Sequence, residues 1–157
     1  MSGIAAIIPA RSGSKGVKDK NIKNLHGHSL LEWSINAAKH SELIDRVFIS
    51  TDSEEYAKIG RDCGAEVPFL RPESISGDSS SDLDFILHAI EEFNKINFYP
   101  EYIAHIRPTT PIRDPDLIDE AIKLLQDNQE FTSLRSVHKM SESSYKTLEI
   151  NNGILTT

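Results

Sequence analysis

Short apolar runs alternate with longer amphipathic stretches along the chain. The first run, at residues 4–8, is continuous, which is typical of a strand buried on both faces. Comparable runs predict further strands at residues 46–50, 66–70, 102–106 and 131–137. Because most of the stretches between these runs are long enough to hold a helix, the chain has the alternation from which parallel sheets are built.

The stretches between the runs carry apolar residues at helical spacing. They predict four helices, which follow Ser29 and occupy residues 54–63, 82–93 and 114–125. Ser29 is a suitable N-cap, and Gly64 fits the C′ position that closes the second helix. Together these signals predict a Rossmann-like α/β fold, in which helices cover both faces of a mainly parallel sheet.

Three polar loops leave the ends of predicted strands, at residues 9–24, 71–81 and 107–114. In open parallel sheets, ligands bind beyond the carboxyl ends of the strands, so we expect these loops to meet at one crevice. Asn152-Gly153, between two short β-rich segments, adds a predicted hairpin. With no linker or internal repeat in view, residues 1–157 are expected to form a single domain.

Composition narrows the range of partners. The chain has 157 residues and a formal net charge of −7, which disfavours nucleic acid, because phosphate backbones require a basic face. Cys63 is the only cysteine, which favours a reducing cytoplasm. No apolar run approaches the ~20 residues of a membrane span, so no membrane partner is expected either.

The loop that follows the first strand carries the clearest chemistry. Residues 9–21 contain two glycines, two serines and four cations, namely Arg11, Lys15, Lys18 and Lys20. Backbone amides and cations suit a polyphosphate, although the same composition also fits a solvated surface loop. The chain lacks both G-x-x-x-x-G-K-[ST] and G-x-G-x-x-G, which argues against a P-loop enzyme and against dinucleotide binding.

A series of motifs runs through the chain in a recognisable order. It comprises residues 7–16 (IIPARSGSKG) with Lys20-Asn21, then Ser50-Thr51-Asp52, Arg71-Pro72 with Asp78, residues 107–111 (RPTTP) with Arg113, and Lys146-Thr147. This series closely resembles the acylneuraminate cytidylyltransferases, also called CMP-sialic acid synthetases. The resemblance covers essentially the whole chain.

The resemblance implies a nucleotide-diphospho-sugar transferase-like fold and an enzyme that couples CTP to an acidic nonulosonic sugar. CMP-sugar and pyrophosphate would be the products, Mg²⁺ the cofactor, and the full-length enzyme a homodimer. Residues 1–157 would then be a nucleotide-binding catalytic domain that is truncated at its C-terminus. Because the family's metal-binding aspartates lie beyond the matched part, no metal ligands are assigned.

The resemblance also assigns roles to residues. Arg11, Lys15 and Lys20 would be catalytic, by stabilising the charge of the triphosphate. The expected nucleotide-binding residues are Ala10, Arg11, Ser12, Gly13, Ser14, Lys15, Gly16, Asn21, Arg71 and Ser81. The expected sugar-binding residues are Arg107, Thr109 and Thr110.

Several alternatives stay open. Arg107 stands where many sialate-specific members carry Gln, so it would suit either the sugar carboxylate or a related acid sugar. A cytidylyltransferase for an eight-carbon acid sugar is one alternative, although the first loop of that family lacks the Ser14-Lys15-Gly16 triplet. A CTP-binding module without activity is another, because the C-terminal part of the family's catalytic domain has no match in this sequence. In Asp82-Leu83-Asp84, Asp82 is expected to cap a helix and Asp84 to favour its dipole, rather than to bind metal. Asp52 either caps the next helix or reaches the crevice.

Overall fold

The computed structural model describes residues 3–14, 16–137, 149–151 and 153–156. In chain order the strands are β1 (Ile4–Pro9), β2 (Asn24–Leu25), β3 (His28–Ser29), β4 (Arg46–Ser50), β5 (Tyr102–His105), β6 (Glu149–Asn151) and β7 (Ile154–Thr156). The helices are α1 (Leu30–His40), α2 (Glu54–Asp62), α3 (Asp82–Lys95) and α4 (Pro115–Asp127). Two short 3₁₀ helices span Lys20–Ile22 and Glu73–Ile75.

The central sheet is parallel, in the order β4-β1-β5. Ile7 of β1 lies opposite Phe48 of β4 and His105 of β5. β2 pairs with β3, and β6 pairs with β7, as two small antiparallel ribbons. The second ribbon encloses Gly153, so the hairpin expected there is confirmed as far as the described residues reach.

Because side chains alternate along a strand, β1 feeds two cores. Its Ile4, Ala6 and Ile8 pack on one face of the sheet, against buried side chains of α1, α2 and α4. Its Ala5 and Ile7 pack on the other face, against an aromatic cluster that includes α3. Helices on both faces of a parallel sheet confirm the predicted α/β architecture.

Helix ends follow the local signals. Ser29 accepts a hydrogen bond from the Glu32 amide and donates its own amide to the Glu32 carboxylate, which forms a capping box at α1. Gly64, with φ of +79°, takes the left-handed conformation just beyond α2. Among the described helices, none is long and apolar enough to cross a membrane.

Two predicted strands are wrong, and β5 is less buried than expected. At residues 66–70, only Glu66 pairs in parallel with Phe48, because Pro68 two residues later has no N–H to continue the ladder. Residues 131–137 are exposed and form no strand. β5 is only half-buried, since it lies at the edge of the described part of the sheet.

Candidate functional site

A cavity of about 370 Å³ lies at the carboxyl ends of β1 and β5. The three polar loops meet there, as the order of elements predicted. The cavity is lined by Pro9, Arg11, Ser14, Gly16, Lys20, Asn21, Arg71, Gly77, Asp78, Ser80, Ser81, Asp82, Phe85, Arg107, Pro108 and Thr109. These described lining residues include four cations and two carboxylates, although the chain as a whole has a net charge of −7.

Hydrogen bonds from other elements fix the first loop. The amide of Ala10 donates to the Ser50 carbonyl at 3.0 Å, which continues the β1–β4 ladder by one residue. Beyond it, the Asn21 side chain donates from Nδ2 to the Arg11 carbonyl at 3.2 Å. Because Asn21 is buried, this contact fastens the loop to the following 3₁₀ helix and fixes the backbone at Arg11.

The far end of the first loop is held by a tyrosine. Asp19 has a φ of +52°, and its carboxylate accepts a hydrogen bond from the Tyr56 hydroxyl at 3.3 Å. Burial, assisted by the negative charge of Asp19, raises the pKa of Tyr56 to about 12. The hydroxyl therefore stays protonated and keeps donating at neutral pH, which fixes the turn that leads into Lys20.

Arg11 connects the first and second loops. Its Nη1 donates to the Ser76 carbonyl at 3.2 Å, and its Nη2 pairs with Asp78 Oδ1 at 2.7 Å. About a third of the Arg11 side chain remains exposed. One neutral and one charged acceptor thus hold the guanidinium at the wall of the cavity.

Arg71 is the most buried of the described cations that line the cavity. Its Nε donates to Ser50 Oγ at 3.0 Å and its Nη2 to the Ser50 carbonyl at 2.6 Å, while the guanidinium lies 4.8 Å from the centre of the Phe85 ring. Only 6% of Arg71 is exposed. Burial lowers its pKa to about 10, with Asp52 opposing the shift and Arg11 adding to it, so Arg71 remains charged at neutral pH.

The third loop contributes an ion pair to the cavity wall, between Arg107 Nη2 and Asp82 Oδ2. Asp82 is the first residue of α3, but the cap is Ser81, whose hydroxyl accepts from the Asp84 amide. The expectation that Asp82 caps this helix is therefore wrong, while Asp84 completes the capping box. Neither carboxylate of this D-x-D triplet lies in a metal cluster within the described chain.

Most of the predicted site residues gather at the cavity. Those that line it are Arg11, Ser14, Gly16, Lys20, Asn21, Arg71, Ser81, Arg107 and Thr109. Ala10, Ser12, Gly13 and Thr110 are in the described chain but are not among its lining residues. Lys15 lies outside the described residues. Phe85, which the sequence analysis did not single out, belongs to the lining and lies against Arg71.

Asp52 reaches the first loop. Its carboxylate accepts hydrogen bonds from the Ser12 amide at 2.7 Å and from the Ser12 hydroxyl at 2.8 Å. The N-cap of α2 is the neighbouring Ser53, whose hydroxyl accepts from the Tyr56 amide. Asp52 is therefore not the cap of α2, and it contacts the first loop without lining the cavity itself.

The described residues do not form a preformed Mg²⁺ site. No group of three or more His, Cys, Asp or Glu side chains suited to a metal occurs among them. The two carboxylates that line the cavity, Asp78 and Asp82, are each paired with an arginine. A metal held by protein ligands alone therefore does not fit among the described residues.

The family-level comparison agrees with this geometry. A model of the cytidylyltransferase family matches residues 5–152, which include every residue that lines the cavity. The chain belongs to this family.

Individual relatives show which cytidylyltransferases the chain resembles. The N-acylneuraminate cytidylyltransferase of Escherichia coli O18:K1:H7 is 41% identical over 143 residues, covering 90% of this chain and 32% of that protein. The CMP-N,N'-diacetyllegionaminic acid synthase of Legionella pneumophila is 33% identical over 121 residues, covering 77% of this chain and 52% of that protein. The resemblance to acylneuraminate cytidylyltransferases is confirmed, and the chain spans about a third of the length of the first of these relatives and about half of the second.

A solved structure extends the comparison to the fold. A CMP:2-keto-3-deoxy-manno-octonic acid synthetase complexed with CTP matches with a TM-score of 0.66, covering 82% of this chain and 49% of that chain. The sequences are 18% identical, so this similarity concerns the fold alone. It confirms the cytidylyltransferase-like arrangement of sheet and helices.

Proposed function

We propose that this chain provides the CTP-binding part of an enzyme that transfers a cytidylyl group from CTP to an acidic nonulosonic sugar. The observation that carries the proposal is the cation-lined cavity at the carboxyl ends of β1 and β5 in a member of the cytidylyltransferase family. A triphosphate is the part of CTP whose charge such a cavity matches best.

In this reaction a sugar hydroxyl attacks the α-phosphorus of CTP. The new bond joins the hydroxyl oxygen to that phosphorus, and the hydroxyl proton passes to solvent. The bond from the α-phosphorus to the oxygen that bridges to the β-phosphate breaks, and pyrophosphate leaves with the released charge. Arg11 and Lys20 line the cavity and would stabilise this charge, since such transfer depends on positioning and electrostatics more than on covalent catalysis. Lys15 is proposed for the same role from its sequence motif.

The cytosine and the sugar would occupy the remaining sides of the cavity. Asn21, Arg71 and Ser81 all line it and are proposed to contact the nucleoside. Arg107 and Thr109 are proposed to face the acid sugar. The ion pair with Asp82 uses the Nη2 of Arg107, and no other hydrogen bond of this guanidinium occurs among the described residues. Its remaining donors suit the sugar carboxylate.

Mg²⁺ dependence, a cytoplasmic location and a homodimeric full-length enzyme remain predictions. Mg²⁺ is usually held by one or two carboxylates together with substrate phosphates, so its requirement is best tested in the presence of CTP.

The test is pyrophosphate release from CTP and Mg²⁺ by the full-length protein that carries this sequence. N-acylneuraminate, diacetyllegionaminate and an eight-carbon 3-deoxy-octulosonate are supplied separately. We expect turnover with a nine-carbon acid. Arg107→Ala is expected to raise the KM for that acid roughly tenfold, the scale of one lost charge-assisted hydrogen bond, without changing the KM for CTP.

Arg61→Ala is the matched control, because Arg61 pairs with Glu54 on the exposed surface of α2. It should change neither KM. Turnover with the eight-carbon acid alone would select that cytidylyltransferase instead. CTP binding without turnover on any acid would favour the inactive binding module, and a protein that binds no CTP would contradict the proposal altogether.

A further inference from the structure

Asp52 is a carboxylate in a region expected to bind a triphosphate. It lies 40 positions along the chain from Ser12 and takes both of that residue's polar hydrogens, at 2.7 and 2.8 Å. A lone carboxylate near phosphates would repel them. Asp52, however, is not among the residues that line the cavity, and each of its oxygens already accepts a hydrogen bond.

The backbone that carries Asp52 is firmly held. Thr51 before it is fully buried, and its carbonyl accepts the Arg71 amide at 2.7 Å. Ser53 after it caps α2. Asp52 thus lies between the end of β4 and the start of α2, which gives its side chain a fixed origin.

Ser12, by contrast, lies in the loop itself. Arg11 before it and Ser14 two residues after it line the cavity. Gly13, which lies between Ser12 and Ser14, turns the chain with a φ of +68°. Fixing the amide and the hydroxyl of Ser12 therefore sets the direction in which the backbone leaves Arg11. A loop whose backbone is fixed before the ligand arrives binds an anion at a smaller entropic cost.

We propose that Asp52 is a positioning residue, which preorganises residues 11–14 for the triphosphate of CTP without touching it. This inference rests on the proposed function. It also reassigns Ser12, whose two donors serve Asp52, from nucleotide binding to support of the loop.

Two substitutions separate position from charge. Asp52→Ala removes both contacts. Asp52→Asn keeps them, since its amide oxygen can accept from the Ser12 amide and its NH₂ can donate to the Ser12 hydroxyl. If position is what matters, Asn rescues binding and Ala does not. If the negative charge itself were needed, for example to hold a metal ion, both variants would fail together.

A matched control lies at the other end of the same strand. Asp45 Oδ2 accepts the Ile4 amide at 2.7 Å, the same kind of contact at the same distance. Asp45→Ala should lower the melting temperature much as Asp52→Ala does, because each removes a carboxylate that holds a backbone amide. Only Asp52→Ala is expected to weaken CTP binding.

The experiment is isothermal titration of the 157-residue chain and its variants with CTP, with and without Mg²⁺, alongside thermal unfolding. We expect a roughly tenfold higher Kd for Asp52→Ala, the scale of one or two lost charge-assisted hydrogen bonds. Asp52→Asn and Asp45→Ala should stay within about twofold of the wild type, which is within ordinary surface-substitution effects.

The outcomes distinguish the inference from the function on which it rests. A wild-type chain without CTP affinity overturns both. Wild-type binding that Asp52→Ala leaves unchanged overturns the positioning role alone. Equal losses in Asp52→Ala and Asp52→Asn overturn it as well, in favour of a role for the charge.

Discussion

Two arginines stack on aromatic rings at opposite ends of the central sheet. Arg46 lies at the amino end and Arg71 at the carboxyl end, and their guanidinium groups donate to different kinds of acceptor. Arg46 lies 4.5 Å from the ring centre of Phe98, and its Nε and Nη2 donate to the two carboxylate oxygens of Glu66. Arg71 lies 4.8 Å from the ring of Phe85, and its donors go to the neutral oxygens of Ser50.

The different acceptors and burial shift the pKa values of the two guanidinium groups in opposite directions. Glu66 raises the pKa of Arg46, because a carboxylate favours the charged form. Burial lowers the pKa of Arg71 to about 10. The charge of Arg46 is thus matched within the fold, whereas that of Arg71 is held beside the cavity without an ion-pair partner among the described residues. Similar stacking therefore serves stability at one end of the sheet and, by our proposal, binding of the nucleoside of CTP at the other.

Replacing each arginine in turn by alanine tests whether the two guanidinium groups have different roles. Arg71→Ala should lower the free energy of unfolding by about 3 kcal/mol, since it removes two charge-assisted hydrogen bonds to Ser50 and the contact with Phe85. It should also weaken CTP binding roughly 100-fold, the upper end of the loss expected for one buried charged group. Thermal unfolding and calorimetric titration measure the two effects.

Arg46→Ala is the control for that experiment. It should also lower stability while leaving the Kd for CTP unchanged, because Arg46 and Glu66 belong to the amino end of the sheet. Equal losses of CTP affinity in both variants would mean that binding follows stability alone. Arg71→Lys separates charge from hydrogen-bond geometry, because lysine keeps the positive charge but lacks the planar fork that reaches both Ser50 oxygens.

A smaller effect should come from His105, at the carboxyl end of β5. Its Nε2 is buried without a partner among the described residues, and its ring edge meets Phe85. Burial lowers its pKa, and the positive charges of Arg113 and Arg135 act in the same direction. The unfolded chain therefore takes up a proton near pH 6.5 while the folded chain does not, so stability should fall as the pH drops below about 6.5.

His105→Gln removes this group. The decrease in melting temperature between pH 7.5 and 5.5 should be smaller in the variant than in the wild type. His40→Gln, which replaces an exposed histidine of α1, should leave the decrease unchanged. An unchanged pH dependence in His105→Gln would show that this histidine titrates alike in the folded and unfolded chains.

Much of the scaffold could be predicted from sequence because its signals are local. The apolar run at 4–8, the cap at Ser29 and the glycine at position 64 each act within a few residues. The failed strand at 66–70 had a local signal too, since Pro68 lacks an amide hydrogen. The strand expected at 131–137 failed because its apolar residues are exposed in the folded chain, which only tertiary structure decides.

The cations of the site could be predicted from the sequence, but the carboxylates that pair with them could not. Arg11 and Arg107 stood out by residue type and position in polar loops. Their partners, Asp78 and Asp82, lie 67 and 25 residues away along the chain. The contact of Asp52 with Ser12 likewise depends on how β1 and β4 are aligned in the sheet. Such pairings arise from register and packing, which single-residue patterns do not encode.

The most direct test of the central claim compares CTP with cytidine as ligands of the wild type and of Arg11→Ala, by calorimetric titration of the 157-residue chain. If the loop after β1 binds the triphosphate, the variant should lose roughly tenfold in CTP affinity, the scale of a charge-assisted contact, and keep its affinity for cytidine. An Arg11→Ala chain that binds CTP as tightly as the wild type would contradict the account.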